Sequence, residues 1–246
     1  MRTLTDALAT RPDTLLVLLP GAETVLEDFQ RYGFIDAVRS RGIAVDILAA
    51  DLNYTHVMAR TVVSTLHVEV IVPARAAGYR HIWLAGISLG GLNALLYTST
   101  HAEELAGIHL MAPYPGTGDI LAEIRAAGGP QAWFGTTESL QGDERVFWRW
   151  LVEQAAAGSP LPVSFSCGSE DRFVRNQRLL ASLLPAERVE YLPGGHDWPT
   201  WQALWASWLD GLPFSLGCAM RTDHANGAHC APYEDPRPAG FSGDAS

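Results

Sequence analysis

The sequence is poor in cysteine and in basic residues. Its three cysteines among 246 residues are an odd number and lie far apart, so they indicate no disulfide framework. Lysine and arginine together number 17 against 27 acidic residues, which gives a formal net charge of −10. Basic clusters are missing as well. Because nucleic acids and anionic membrane surfaces are bound by basic patches, this composition argues against both classes of partner.

Long apolar runs are also missing. No stretch approaches the roughly 18 apolar residues that a membrane-spanning helix needs. Residues 1–9 contain no long apolar core, so we expect no secretory signal, no membrane span and a cytoplasmic location. The chain is nevertheless 48% hydrophobic, which is enough for a substantial core in a single α/β domain of this length.

The most informative motif is the sequence Gly-Ile-Ser-Leu-Gly at residues 86–90. The apolar run at 81–85 predicts a strand before it, and residues 89–97 predict a helix behind it. A serine at such a turn is lifted out of the backbone, where a base and a substrate carbonyl can both reach it. The tightness of the turn gives the two glycines a steric reason to lack Cβ atoms. Ser88 is therefore a candidate nucleophile.

An acid and a histidine follow two further predicted strands. Asp171 comes just after the strand predicted at 163–167, and His196 just after the strand predicted at 189–192. The C-terminal ends of parallel strands lie along one edge of an open sheet, which is where sites of this architecture form. We therefore expect the serine, the acid and the histidine to lie together.

The serine turn and the chain order serine, acid, histidine resemble the α/β-hydrolase family over most of the chain. The resemblance implies an open, mainly parallel sheet of about six strands with helices on both faces. It also implies that Ser88 is the nucleophile, His196 the general base and acid, and Asp171 the residue that orients the histidine. Glu170 and Asp197 are rival acids. Glu170 fits the family pattern less well, and Asp197 is too near the histidine in sequence to point easily at its ring.

The resemblance also implies an oxyanion hole made of two backbone N–H groups. One belongs to Leu89, which follows the nucleophile, and we assign the other to Ala22, in the loop after the strand predicted at 15–19. Losing such a donor typically costs about 3 kcal/mol of transition-state stabilisation. Family members often carry His-Gly where this chain has Pro20 and Gly21, but a main-chain donor does not need the histidine. Glu23 is either a solvated loop residue or a contact for a cationic part of the substrate.

Strand and helix patterns alternate along the chain, as a parallel sheet with crossover helices requires. The six predicted strands are 15–19, 43–49, 81–85, 108–112, 163–167 and 189–192. The predicted helices outside residues 113–160 are 25–40, 56–77, 89–97 and 198–211, and Pro73 is expected to bend or shorten the second of them. Almost nothing precedes residue 14, so we expect the antiparallel hairpin that opens the sheet of many members of this family to be missing here.

The alternation is interrupted at residues 113–160, where we predict a small cap-like insertion with helices at about 117–127 and 140–157. The hydrolase domain then covers residues 1–212. Residues 213–246 are rich in Gly, Ala, Pro and Asp and show no periodicity, so we expect an irregular, partly disordered tail.

Aromatic residues are the candidates for the substrate pocket. Trp133 and Phe134 either line an apolar acyl or alcohol pocket or pack the insertion onto the core. Four tryptophans at helical spacing predict a stripe that faces the core. They are Trp198, Trp201, Trp205 and Trp208. Of these, Trp198 follows His196 by two residues and is the one expected near the site.

We expect no metal and no organic cofactor. Four histidines have no motif around them and are assigned to the surface or to packing: His56, His67, His101 and His109. His81 begins the nucleophile strand at the end away from the site. The cysteines and histidines of the tail match no trusted zinc-ligand spacing. They are Cys218, His224, His229 and Cys230.

The sequence thus predicts a serine hydrolase that cleaves a small or medium acyl ester, its small-molecule partner, through an acyl-enzyme. The same groups would cleave a thioester or an amide, so an acyl thioesterase is the nearest alternative. Two alternatives of other classes stay open: a lyase that uses the histidine to move a proton, and a binding protein without activity. The sequence does not indicate an oligomeric state.

Overall fold

A computed structural model of the chain describes residues 1–133, 144–158 and 161–212. Seven strands from these residues form one sheet in the order β1-β3-β2-β4-β5-β6-β7. In chain order they are β1 Thr3–Asp6, β2 Thr14–Leu19, β3 Asp46–Ala50, β4 His81–Ile87, β5 Gly107–Met111, β6 Val163–Gly168 and β7 Val189–Leu192. The pairs from β3 through β7 are parallel, so the predicted mainly parallel sheet is confirmed.

The edge strand β1 is the exception and is not among the six predicted strands. It pairs antiparallel with β3, from Thr3 opposite Ala50 to Asp6 opposite Ile47. The sheet therefore has one strand more than the six predicted, and this strand pairs with β3 rather than forming a hairpin with β2. Its four residues alternate between exposed and half-buried, so they form no apolar run, and Leu4 alone packs against the core. Pairing with β3 makes this segment a strand, and a local pattern does not report such pairing.

Eleven α-helices of the described residues surround the sheet. They are α1 Asp28–Arg31, α2 Phe34–Ser40, α3 Tyr54–Met58, α4 Val62–Leu66, α5 Val72–Ala76, α6 Leu89–His101, α7 Gly118–Ala126, α8 Pro130–Trp133, α9 Glu144–Ala157, α10 Val174–Ala181 and α11 Trp198–Gly211. A π-helical turn, His67–Ile71, joins α4 to α5, and 3₁₀ turns lie at Ala102–Glu104 and Ala186–Arg188. None of these helices is long and apolar enough to cross a membrane.

Two predicted helices are interrupted. The helix predicted at 25–40 breaks at Gly33, which has a φ of +73°. Glycine adopts this conformation without steric strain, because it has no Cβ. The helix predicted at 56–77 breaks after α3, where Arg60 has a φ of +57°. Pro73 lies two residues after the π-helical turn, so the irregularity predicted at this proline coincides with the change from π-helix to α-helix.

The core lies on both faces of the sheet. All six residues of β2 are buried, so both of its faces are covered, as expected for a parallel strand in the middle of a sheet. The predicted tryptophan stripe on α11 is confirmed as core at Trp201 and Trp205, and the Trp205 indole N–H donates to the Phe34 carbonyl at 3.0 Å. The described parts of the insertion also pack inward, since Trp148 is fully buried.

Candidate active site

Ser88 occupies the turn between β4 and α6 in a rare backbone conformation. Its φ is 51° and its ψ is −110°. A positive φ is strained for a residue that has a Cβ. Neighbouring backbone holds it there: the Ser88 N–H donates to Met111 at 3.0 Å, and the Ser88 carbonyl accepts from Gly91 at 3.0 Å and from Tyr114 at 2.8 Å. The serine is thus presented by a rigid part of the sheet.

The two glycines of the turn leave no room for side chains. A Cβ on Gly86 would lie 2.2 Å from the Gly90 carbonyl oxygen, and a Cβ on Gly90 would lie 2.0 Å from the Leu19 carbonyl oxygen. Both clashes are with backbone, so no rotation of a side chain would relieve them. The steric reason predicted for these glycines is confirmed.

One imidazole connects the serine to an acid. His196 Nε2 lies 2.9 Å from Ser88 Oγ, and His196 Nδ1 lies 2.6 Å from Asp171 Oδ2. The second carboxylate oxygen, Oδ1, accepts a hydrogen bond from the Phe173 amide at 2.8 Å. The Asp171 side chain is fully buried and that of His196 is 6% exposed. The carboxylate favours the tautomer with its proton on Nδ1, which leaves Nε2 free to accept the serine proton.

The side chains of the two rival acids have other surroundings. Asp197 caps α11: its Oδ1 accepts from the Thr200 amide at 3.0 Å and from the Thr200 hydroxyl at 2.7 Å. These hydrogen bonds lower the pKa of the Asp197 carboxyl. Glu170 has an exposed side chain, and its amide donates to the Gly194 carbonyl at 2.9 Å. The acid hydrogen-bonded to His196 is Asp171.

The candidate oxyanion donors lie on the two sides of Ser88. Leu89 is the first residue of α6, so its N–H points out of the helix N-terminus, where the helix dipole favours negative charge. The loop after β2 approaches the serine closely, because a Cβ on Gly21 would lie 3.6 Å from Ser88 Cβ. Among the described residues, the N–H groups of Leu89 and Ala22 have no hydrogen-bond acceptor. Glu23 is exposed.

Two aromatic rings stand edge-on to the imidazole. Phe173 and Trp201 both lie with ring centroids 5.1 Å from His196, at interplanar angles of 86° and 88°. Trp198, the tryptophan expected near the site, stacks on Tyr32 at 4.1 Å and meets Trp201 edge-on. The ring of Trp201 therefore lies between Trp198 and the histidine. Trp201 itself is a core residue that also contacts the site.

Sequence reasoning missed two further neighbours of the site. Phe173 contacts His196. It follows Asp171 by two residues, and this closeness in sequence indicates that it belongs to the same loop as the acid. Tyr114 donates its amide proton to Ser88 and lies edge-on to Phe173 at 5.5 Å; it follows β5, whose C-terminal end lies at the same edge of the sheet. Burial, together with the negative charge of Glu144, raises the pKa of the half-buried Tyr114 hydroxyl.

The candidate pocket residues of the insertion are less well placed. Trp133 ends α8 and is 3% exposed, which fits packing onto the core. Its predicted partner Phe134 lies outside the described residues. Residues 213–246, with the tail cysteines and histidines, lie outside them as well.

Comparisons with known proteins give the family of the chain and structures of similar fold. The family model Esterase, described as "Putative esterase", matches residues 51–209. No curated protein matches the chain.

Solved structures with a similar fold include three hydrolases. FphF, a fluorophosphonate-binding serine hydrolase of Staphylococcus aureus, is 16% identical with a TM-score of 0.57, over 82% of this chain and 85% of that one. The S-formylglutathione hydrolase FrmB of Staphylococcus aureus is 14% identical with a TM-score of 0.56, over 82% of each chain. MGS-MChE2, an α/β hydrolase from the metagenome of sediments of the Mar Chica lagoon in Morocco, is 18% identical with a TM-score of 0.52, over 85% of this chain and 94% of that one.

Proposed function

This chain belongs to the Esterase family and is a carboxylic ester hydrolase of the α/β-hydrolase fold, and we propose that it cleaves small or medium acyl esters through Ser88, His196 and Asp171. The observation that carries the proposal is the pair of hydrogen bonds, 2.9 Å and 2.6 Å long, by which one imidazole joins the serine hydroxyl to the buried carboxylate. A serine hydroxyl is a weak nucleophile unless a neighbouring base accepts its proton. The arrangement supplies that base and the group that orients it.

In the first half of the proposed reaction, His196 Nε2 accepts the Ser88 proton as Oγ forms a bond to the carbonyl carbon. The carbonyl π electrons move to the oxygen, and the N–H groups of Ala22 and Leu89 hold the negative charge. Asp171 stabilises the imidazolium that forms. When the tetrahedral intermediate collapses, the C–O bond to the alcohol breaks and the alcohol takes the proton from Nε2. The acyl group stays on Ser88.

Water completes the cycle in the second half. His196 Nε2 accepts a proton from the water, whose oxygen attacks the acyl carbon, and the same two N–H groups hold the second oxyanion. The bond to Ser88 Oγ then breaks, Oγ takes back a proton from Nε2, and the carboxylic acid leaves. Every proton transfer in this scheme passes through one nitrogen, so the histidine has to keep its orientation through both halves.

The buried surroundings of the histidine support this role. The edges of Phe173 and Trp201 restrict the imidazole, and Asp171 fixes its Nδ1 side. A carboxylate that is shielded from water acts on a neighbouring imidazolium more strongly than one in solvent. The chain thus provides the pre-organised base that the proposed reaction needs.

Thioester cleavage is the second candidate. The same steps apply with sulfur as the leaving atom, and one solved structure of similar fold is an S-formylglutathione hydrolase, named for a thioester. Family membership favours the oxygen ester, so an acyl thioesterase is the alternative that experiment has to separate from it.

A chain-length series with two leaving groups tests the proposal. Since the proposal assigns small or medium acyl chains, we expect p-nitrophenyl acetate, butyrate and octanoate to be cleaved with a kcat/KM about tenfold or more above that for the palmitate. The matching acyl-CoA series reports thioester cleavage. The Ser88→Ala variant serves as the control in both series.

The outcomes separate the functional classes. Turnover of acyl-CoAs above that of the esters favours the thioesterase. A folded protein that turns over neither series contradicts the proposal and favours the lyase or the binding protein. The cytoplasmic location and the domain boundaries stay predictions.

A further inference from the structure

A second cluster of reactive side chains lies at the far end of the helix that begins next to Ser88. Each of His67, His101 and Glu104, called here the distal cluster, offers one ligand atom, and these atoms lie within 4.8 Å of one another. Helix α6 has 13 residues and ends at His101, which places the cluster about 20 Å from the serine along the helix axis. The distal cluster is therefore separate from the active site.

Polar contacts join His67 and Glu104, and His101 stacks on His67. His67 Nδ1 lies 3.3 Å from Glu104 Oε2 and 3.1 Å from the Tyr97 hydroxyl. The Tyr97 hydroxyl donates to the same carboxylate oxygen. The rings of His67 and His101 are nearly parallel, with centroids 4.6 Å apart.

The distal cluster is partly exposed to solvent. Its side chains are 29%, 25% and 28% exposed for His67, His101 and Glu104, so an ion from solvent can reach them. Glu103 adds negative charge, with its Oε1 4.0 Å from His101 Nδ1. The carboxylates of Glu103 and Glu104 attract a cation to this point, while the guanidinium of Arg75, which donates to the Glu104 carbonyl oxygen, opposes it.

The backbone at His67 is irregular in a way that suits a binding site. His67 is the first residue of the π-helical turn that ends at Ile71. Such turns are rare and occur frequently at functional sites. The two ends of this turn differ, since Val70 and Ile71 are buried while His67 is half-exposed beside α6. The inserted turn thus anchors its apolar end and leaves the imidazole at the surface.

We propose that the distal cluster binds a divalent transition-metal ion, with Zn²⁺ as the best match. Two imidazole nitrogens and one carboxylate oxygen form a donor set that zinc accepts, with water in the fourth position. Zinc bonds to these atoms are about 2.0–2.2 Å long, so the ligand atoms have to move closer, and partly exposed side chains can rotate to do so. Tyr97 would hold the carboxylate from behind, as outer hydrogen bonds do in metal sites.

The proposed ion would connect two parts of the chain. These are the π-helical turn and the C-terminal end of α6 with the 3₁₀ turn Ala102–Glu104 that directly follows it. An ion that binds only the folded state stabilises that state, so its effect is a higher melting temperature. Mg²⁺ and Ca²⁺ prefer all-oxygen sites and should have no such effect.

Zinc titration of the full chain tests the proposal, by calorimetry and by thermal unfolding with ZnCl₂ or MgCl₂. We expect one zinc ion per chain at this site and a rise in Tm with Zn²⁺ only. Two variants, His101→Gln and Glu104→Gln, are each expected to weaken zinc binding about tenfold or more and to remove the Tm shift. Glu104→Gln keeps an oxygen that accepts from Tyr97, so its fold without zinc should match that of the wild type.

The control is His81→Gln, which removes a half-buried histidine outside the cluster and should bind zinc as the wild type does. Should His101→Gln fail to fold, Glu104→Gln decides the result alone. The proposal is overturned if zinc leaves the wild-type Tm unchanged. It is equally overturned if Glu104→Gln binds zinc with wild-type affinity, since the zinc then sits elsewhere, such as at the cysteines and histidines of the tail.

Discussion

Ser88→Ala is expected to lower kcat for ester hydrolysis by about 10⁵-fold or more, because it removes the atom that forms the acyl-enzyme. Without Oγ, His196 has no hydroxyl to deprotonate, and only the oxyanion donors and binding contacts are left. The fold should survive, since the variant loses one oxygen and keeps the Cβ at the same backbone position. Single-turnover and steady-state kinetics with p-nitrophenyl butyrate measure the loss, and circular dichroism verifies the fold.

The matched control is Ser64→Ala, the same substitution at an exposed serine of α4. It should keep activity within about twofold of the wild type, as surface substitutions away from special features usually do. If Ser88→Ala retained a hundredth of the wild-type kcat while properly folded, Ser88 would not be the nucleophile.

Asp171→Asn is expected to lower kcat by about 10⁴-fold with little change in the overall fold. The asparagine amide donates to Nδ1 where the carboxylate accepts from it. The imidazole proton then moves to Nε2, which faces Ser88 and can no longer accept the serine proton. Kinetics on the purified variant, together with the NMR signals of the His196 ring nitrogens, report both the rate and the tautomer.

Asp197→Asn provides the control at a neighbouring carboxylate. Asparagine caps a helix about as well as aspartate, so the cap on Thr200 should persist and activity should stay within a few-fold of the wild type. If Asp197→Asn lost much of its activity and Asp171→Asn only little, Asp197 would be the orienting acid. That result would contradict the geometry described above.

The sequence predicts the main features of the site because each rests on a local signal. An apolar run followed by Gly-x-Ser-x-Gly specifies a strand, a tight turn and a helix, and the turn has the predicted steric crowding at Gly86 and Gly90. Asp171 follows the largely buried strand β6 and His196 follows the edge strand β7, and a parallel sheet brings the ends of such strands to one edge. Topology alone then places three distant residues together.

Features that depend on tertiary contact are not predictable in the same way. The edge strand β1 is stabilised by its pairing with β3. Its sequence, Thr-Leu-Thr-Asp, contains no apolar run that would predict a strand. Trp201 has the spacing of a core residue, and only the packed structure shows that its edge also meets His196. His67 and His101 are 34 positions apart and belong to no motif, so the distal cluster exists only once the π-helical turn packs beside α6.

Mass spectrometry after treatment with a fluorophosphonate probe tests the central claim most directly, since the probe bonds covalently to an activated serine. We predict one adduct per chain, located on the peptide that contains Ser88, lost in Ser88→Ala and formed far more slowly in Asp171→Asn. Loss of ester hydrolysis should follow adduct formation in equal proportion. An adduct on a different residue, or no adduct on a protein that still cleaves esters, would contradict the account.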